Sequence, residues 1–265
     1  MLTTITLLAS FLPGVLSLGI LFPVYFCGNN ANCFDTTSCP DYTSIVSGIK
    51  AQASVPVYMI INPASGPMTT SDLYPNYPVC IPQLKNAGPD SVVLGYVRTN
   101  YGNPPITADI VQENVTAYAD WPASYRPTGI FFDEVSNDVG DVSLYESYAT
   151  YARSLGFNFI VFNPGTSTTA GYFGSSAADM IVTYEGPYSS FSTSDLTITS
   201  DMPSAKQAVL MYSGPASSPS SVIDQLGSLG GGVGAVFVTD NANAANHWNA
   251  TPTYWAAEVA DVAGA

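Results

Sequence analysis

Asp133 and Glu134 close the apolar run Gly129-Ile130-Phe131-Phe132, and Glu185 closes the run Met180-Ile181-Val182-Thr183-Tyr184. A carboxylate at the end of an apolar strand is costly to desolvate unless it is paired or put to chemical use. Two or three carboxyls around one cleft suit glycosidic bond cleavage, in which one protonates the leaving oxygen and another attacks or stabilises the oxocarbenium-like centre. The plainer alternative for Asp133 or Glu134 is an ion pair with Arg98, which ends the preceding apolar run. Successive strand residues point to opposite sides, so a regular strand aims at most one of Asp133 and Glu134 inward.

Other chemistries find little support. The one histidine, His247, lies beyond the last apolar run, and no nucleophile elbow stands near a strand end, which argues against a serine or cysteine triad. The same shortage disfavours zinc, no EF-hand spacing occurs, and no cofactor is implied. Polar residues at run ends complete the candidate substrate-binding set: Tyr25, Asn62, Arg98, Tyr101 and Asn163, then Tyr184, Tyr188, Tyr212 and Asp240. The tyrosines among them cluster where ring faces stack on pyranose rings. Loop bonding is the simpler role for Asp240; for His247-Trp248 a sugar-stacking wall competes with the simpler reading of a loop histidine beside a packed Trp.

Eight short β-branched and aromatic runs position these residues: 19–26, 55–62, 91–99, 129–135, 158–163, 179–186, 207–214 and 233–240. Each is nearly continuous in apolar residues, as expected of parallel strands covered on both faces. Stretches with helical spacing lie between them, at 41–53, 81–87, 107–120, 143–155, 220–229 and 253–262. Residues 189–203 are rich in Ser and Thr and read as a loop or a poor helix. The alternation predicts an α/β fold, a single-domain (β/α)8 TIM barrel, whose active site lies at the C-terminal ends of its strands. An open doubly wound sheet is the competitor, but no Gly-rich phosphate loop follows any strand.

The chain of 265 residues carries 6 Lys and Arg against 20 Asp and Glu, a net charge of −14. Scattered basic residues exclude a nucleic-acid partner. The acidic excess reads either as a solubility device for work at low pH or as a surface attracting a cationic substrate. Residues 1–17 read as a secretory signal peptide followed by a barrel domain over 18–265, and no later apolar run is long enough to span a membrane. Secretion implies two disulfides among Cys27, Cys33, Cys39 and Cys80. Three connectivities exist; Cys27–Cys33 with Cys39–Cys80 is favoured, since the latter pair would start two neighbouring helices. The sequons at Asn114 and Asn249 fit an exported glycoprotein, located extracellularly or in a cell wall and expected to be a monomer.

The phrases GILFPVYF, Ile60-Ile61-Asn62-Pro63-Ala64-Ser65-Gly66-Pro67, Gly95-Tyr96-Val97-Arg98-Thr99-Asn100-Tyr101 and Gly129-Ile130-Phe131-Phe132-Asp133-Glu134 resemble the spherulin-4 (spherulation-specific family 4) proteins, whose enzymatic members form glycoside hydrolase family 135. The similarity runs in order from Gly19 to Ala257. It implies a (β/α)8 barrel and an endo-acting hydrolase that cuts α-1,4-linked N-acetylgalactosamine in galactosaminogalactan, a fungal extracellular polysaccharide. It also implies a catalytic set of Asp133, Glu134 and Glu185, whose retention here argues against a degenerate site. The cysteine-rich insert at 27–39 departs from the family pattern and leaves the polymer open. In such an α-linkage the 2-acetamido group is cis to the leaving oxygen, so the chemistry falls to two enzyme carboxyls. We expect Asp133 as nucleophile or base and Glu185 as general acid, with Glu134 positioning substrate or exchanging roles with one of them. The rival readings are a non-catalytic glycan-binding cell-wall or spore-coat protein and a glycosidase acting on deacetylated galactosamine or another α-glycan.

Overall fold

The computed structural model describes residues 17–27, 30–174 and 177–265, so nearly all of the expected signal peptide lies outside the described residues. The eight apolar runs form eight parallel strands: β1 (Gly19–Val24), β2 (Val57–Ile61), β3 (Ser91–Arg98), β4 (Gly129–Asp133), β5 (Phe159–Asn163), β6 (Met180–Pro187), β7 (Gln207–Tyr212) and β8 (Ala235–Val238). Each pairs with the next and β8 pairs with β1, which closes the barrel. Closure leaves no edge strand, and it explains the continuous apolarity: inward side chains fill the barrel and outward ones meet the helices.

The described residues contain six α-helices: α1 (Pro40–Ala51), α2 (Tyr77–Lys85), α3 (Ala108–Ala119), α4 (Val142–Ser154), α5 (Ser220–Ser228) and α6 (Trp255–Gly264). The Thr107 hydroxyl caps α3 through the Ile110 N–H, as its sequence position suggests. α2 begins four residues before the expected stretch, because Pro78 is compatible with a first helical turn. After β5 and β6 the described crossovers hold 3-10 turns where a complete barrel has helices, at Ala170–Phe173, Tyr188–Ser190, Thr193–Asp195 and Ser204–Lys206. The Ser192 side chain and Asp195 cap one of these turns reciprocally, the kind of local bonding by which Ser and Asp compete with helix. No helix among the described residues is long and apolar enough to cross a membrane.

Gly129 opens β4, the strand that delivers Asp133. A Cβ there would stand 2.2 Å from the Phe159 carbonyl oxygen and 2.7 Å from Leu94 Cδ2, so only glycine lets β4 lie between its neighbours. Both disulfides form in the favoured pairing, Cys27–Cys33 and Cys39–Cys80. Cys39 immediately precedes α1, and Cys80 lies in the first half of α2, so the second bridge ties the two helices together.

Candidate active site

Strand register brings the acidic residues together. Asp133 pairs with Arg98 on β3 and with Asn163 on β5. Asn163 is buried, and its Nδ2 donates to Asp133 Oδ1 at 2.7 Å and to Glu185 Oε2 at 2.6 Å. Two contacts to one nitrogen hold those oxygens no more than about 5.3 Å apart. Tyr96 donates its hydroxyl to the other oxygen, Asp133 Oδ2, at 2.6 Å. Glu185 reaches the pocket because β6 slips register between Val182 and Tyr184, which shifts the alternation of its side chains. The resulting pocket, about 360 Å³, is lined by Asp133, Glu134, Asn163 and Glu185 with Tyr101 and Tyr212 at its walls.

Glu134 shares that pocket, contrary to what a regular strand allows. β4 ends at Asp133, and Glu134 takes φ = 52°, a left-handed conformation that turns its side chain to the same side. Such a residue costs about 1–3 kcal/mol. The Arg98 Nε–Glu134 Oε2 ion pair at 2.7 Å is solvent-exposed, and exposed pairs contribute about 0.2–1 kcal/mol, too little to hold the strain alone. The backbone supplies the rest: Glu134 O accepts from Tyr101 N (2.6 Å) and Thr99 Oγ1 (2.7 Å), and Asp133 O accepts from Thr99 N (3.0 Å). Buried Thr99 is itself 3.0 Å from the Tyr145 hydroxyl, which accepts from Ser136 N at 2.9 Å. The strained turn is thus clamped from β3 and α4.

Electrostatics separate the two bridged carboxyls. Burial raises the proton affinity of Asp133, while donors from Tyr96, the Glu134 backbone and Asn163 act against the rise. Glu185 is pushed up to about 7, first by burial and then by the Asp133 charge, despite the opposing influence of the Asn163 hydrogen bond and the Trp248 indole. Asp133, with more donors, ionises first, and its charge retains the proton on Glu185. Burial and the neighbouring carboxylate also push the Tyr96 hydroxyl well above the ordinary phenol range, so it stays a donor. An ionised and a protonated carboxyl at this spacing can carry out nucleophilic and acid chemistry on a bound acetal.

The remaining expected residues divide. Arg98 pairs with Glu134, and Tyr101 and Tyr212 line the pocket. Tyr25 and Asn62 line a neighbouring cavity, where Asn62 Oδ1 accepts from Gly66 N. Tyr184 donates its hydroxyl to Pro187 O and packs against Phe191, while Tyr188 opens a 3-10 turn; neither lines the carboxyl pocket. Asp240 accepts from the backbone and hydroxyl of Thr253, the loop bonding that its sequence position suggests. Ring burial next to Tyr184 or Tyr188 is therefore not what raises Glu185. Among the sequons, Asn114 is half-buried on α3 and Asn249 is exposed. Sequence reasoning missed Tyr96, whose place inside an unbroken apolar run resembles core, and for Trp248 preferred packing to a sugar-stacking wall.

The sequence profile of spherulation-specific family 4 matches residues 19–262. The fold is similar to the crystal structure of Aspergillus clavatus Sph3 in complex with GalNAc, with a TM-score of 0.77 and 22% identity over 93% of this chain and 98% of that one. A Coccidioides immitis protein described as a fructose-1,6-biphosphate aldolase is similar at a TM-score of 0.50 and 11% identity, over 94% of this chain and 85% of that one. No curated protein sequence matches significantly. At these identities the structural likeness bears on the closed parallel barrel.

Proposed function

The chain belongs to spherulation-specific family 4, and from that membership and the bridged carboxyls we propose that it is a secreted, endo-acting glycoside hydrolase cleaving α-1,4-linked N-acetylgalactosamine with retention of configuration. The observation that carries the reading is the Asn163 bridge: it holds the nearest oxygens of Asp133 and Glu185 no more than about 5.3 Å apart, which supports a nucleophile and an acid at the retaining spacing of roughly 5–5.5 Å over the 6.5–9.5 Å that leaves room for an inverting water. The GalNAc bound by the Aspergillus clavatus protein and the two disulfides support the sugar and the extracellular setting respectively.

In the first step Glu185 gives its proton to the glycosidic oxygen while an Asp133 oxygen attacks the anomeric carbon. The leaving chain departs with that proton, and a glycosyl ester forms on Asp133. Glu185, now a carboxylate, takes a proton from water as the water oxygen attacks the same carbon and releases Asp133. Tyr96 and Asn163 hold Asp133 for attack through both of its oxygens, and the Glu134–Arg98 pair orients the sugar at the pocket wall.

The test is release of reducing ends from galactosaminogalactan by the wild type and by Asp133→Asn, Glu134→Gln and Glu185→Gln. Proton NMR of the first product is expected to show the α-anomer. Undiminished cleavage in all three variants overturns the reading, and a wild type that retains polymer without shortening it is a glycan binder.

A further inference from the structure

The carboxyl pocket occupies only part of the strand-end face. Beside it, over the ends of β1, β2 and β8, lies a cavity of about 550 Å³ that Asp133, Glu134 and Glu185 do not line. Its walls include Tyr25, Asn62, Tyr74, His247 and Trp248, and the small side chain of Ala245 leaves it open. That volume falls in the range of ligand sites, and rings edged by amides suit the faces and hydroxyls of pyranoses.

The two cavities share their partition. Tyr212, in the carboxyl pocket, stacks flat on His247, in the second cavity, with ring centroids 3.8 Å apart and planes 4° from parallel. Trp248 lines the second cavity while its indole acts against the rise in Glu185's proton affinity. Tyr25 meets Tyr96, the donor to Asp133, edge-on at 5.8 Å. A sugar in one cavity therefore lies next to a sugar in the other.

The walls are held before any ligand arrives. Tyr25 N donates to Trp248 O (3.1 Å), Asn246 Nδ2 donates to Tyr25 O (3.2 Å), and Trp248 N donates to Asn246 Oδ1 (2.9 Å). His247 Nδ1 is shielded from solvent without a hydrogen-bond partner, so the ring is held by its stacking on Tyr212 and by the loop around it. Among the described residues the exposed large aromatic side chains are Phe34 and Tyr101. Phe34 packs edge-on against Tyr74 of the second cavity at 5.7 Å, and Tyr101 borders the carboxyl pocket, so the two bracket the pair of cavities.

We infer that the cavity over β1, β2 and β8 is a sugar-binding subsite contiguous with the reaction centre, so that the glycan runs from Phe34 across the Tyr212–His247 stack to Tyr101 and several consecutive pyranose units are gripped to one side of the bond cut. The inference rests on the glycan-hydrolase reading.

Ala245→Trp fills the cavity from an exposed loop position. It is expected to lower kcat/KM at least tenfold on α-1,4-linked N-acetylgalactosamine chains of six or more units, and less than twofold on an aryl glycoside of one unit. A second measurement titrates the six-unit oligomer into Glu185→Gln and into Glu185→Gln/Ala245→Trp, where the Kd is expected to be at least tenfold weaker in the double variant. Equal affinity of the two proteins, absence of binding to Glu185→Gln, or equal losses on long and short substrates overturns the subsite. Ala245-dependent binding by a protein whose wild type cuts nothing overturns the hydrolase reading alone and leaves the subsite standing.

Discussion

Glu185 at the barrel mouth and Glu258 on α6 are both shielded carboxyls whose proton affinity burial raises, yet their surroundings differ. Glu185 opens onto a pocket, receives side-chain donors and faces a second carboxyl. Glu258 is wholly buried; its Oε1 accepts from Val238 N at 2.8 Å, and its Oε2 has no partner. Burial favours the protonated form of both, but the first faces an open pocket and the second anchors the end of β8. A raised proton affinity marks a catalytic group only when solvent space and a second chemical group accompany it.

The sharpest way to break this contrast is substitution of each by its neutral isostere. Glu185→Gln is expected to lower kcat on the polymer about 10²–10⁴-fold, the usual contribution of a positioned acid, while Glu258→Gln stays within about threefold of wild type in the same reducing-end assay. Comparable losses in both would erase the distinction.

Asn163→Ala tests what makes the mouth special. Its amide stabilises the ionised form of both carboxyls, so its removal is expected to lower kcat about 10–100-fold and to move the alkaline limb of the pH–rate profile, which Glu185 places near 7, to higher pH. A loss of rate with an unmoved limb would assign Asn163 to packing.

Stability separates the two regions differently. Both carboxyls have folded-state affinities above their unfolded ones, so the folded protein holds more protons, and each destabilises the fold as pH rises above about 4.5, the ordinary range of an unfolded glutamate. Glu258→Gln is therefore expected to raise Tm at pH 7.5 by several degrees and to leave it nearly unchanged at pH 4, measured by calorimetry. Glu185→Gln is expected to shift Tm in the same direction, gaining stability as it loses activity.

The smallest effect concerns the net charge of −14. If the acidic excess steers substrate, raising salt from 20 to 300 mM, over which the screening length falls from about 20 Å to about 6 Å, is expected to reduce kcat/KM two- to fivefold on partly deacetylated, cationic polymer and to leave the fully acetylated polymer unaffected. Equal responses would make the charge a solubility device.

The barrel was legible because strands covered on both faces must be apolar throughout; seven of the eight runs contain their strands whole, and β6 passes the end of its run by one residue. The crossovers after β5 and β6 were harder, since residues 189–203 satisfy their backbone through short Ser- and Asp-capped turns whose signal is weak. In the site, Asp133 and Glu185 stood out as charges ending apolar runs. The joint presentation of Asp133 and Glu134 did not, because the left-handed turn at Glu134 is imposed by Thr99 and Tyr101, more than thirty residues earlier in the chain. Tyr96 escaped for the reason that made β3 visible: in a continuous apolar run, a tyrosine facing a carboxylate looks the same as one facing a helix.

Gly129 has a bearing on how this protein can diversify. With no room for a side chain between Leu94 and Phe159, any replacement there must part β4 from its neighbours, and the same displacement carries Asp133 away from Asn163. Lineages that drift at this position lose fold and activity together, whereas drift on the rim, at positions such as Ala245 and Phe34, leaves the barrel intact. Variation among relatives is therefore expected to accumulate around the mouth, with the strand that bears Asp133 held nearly constant.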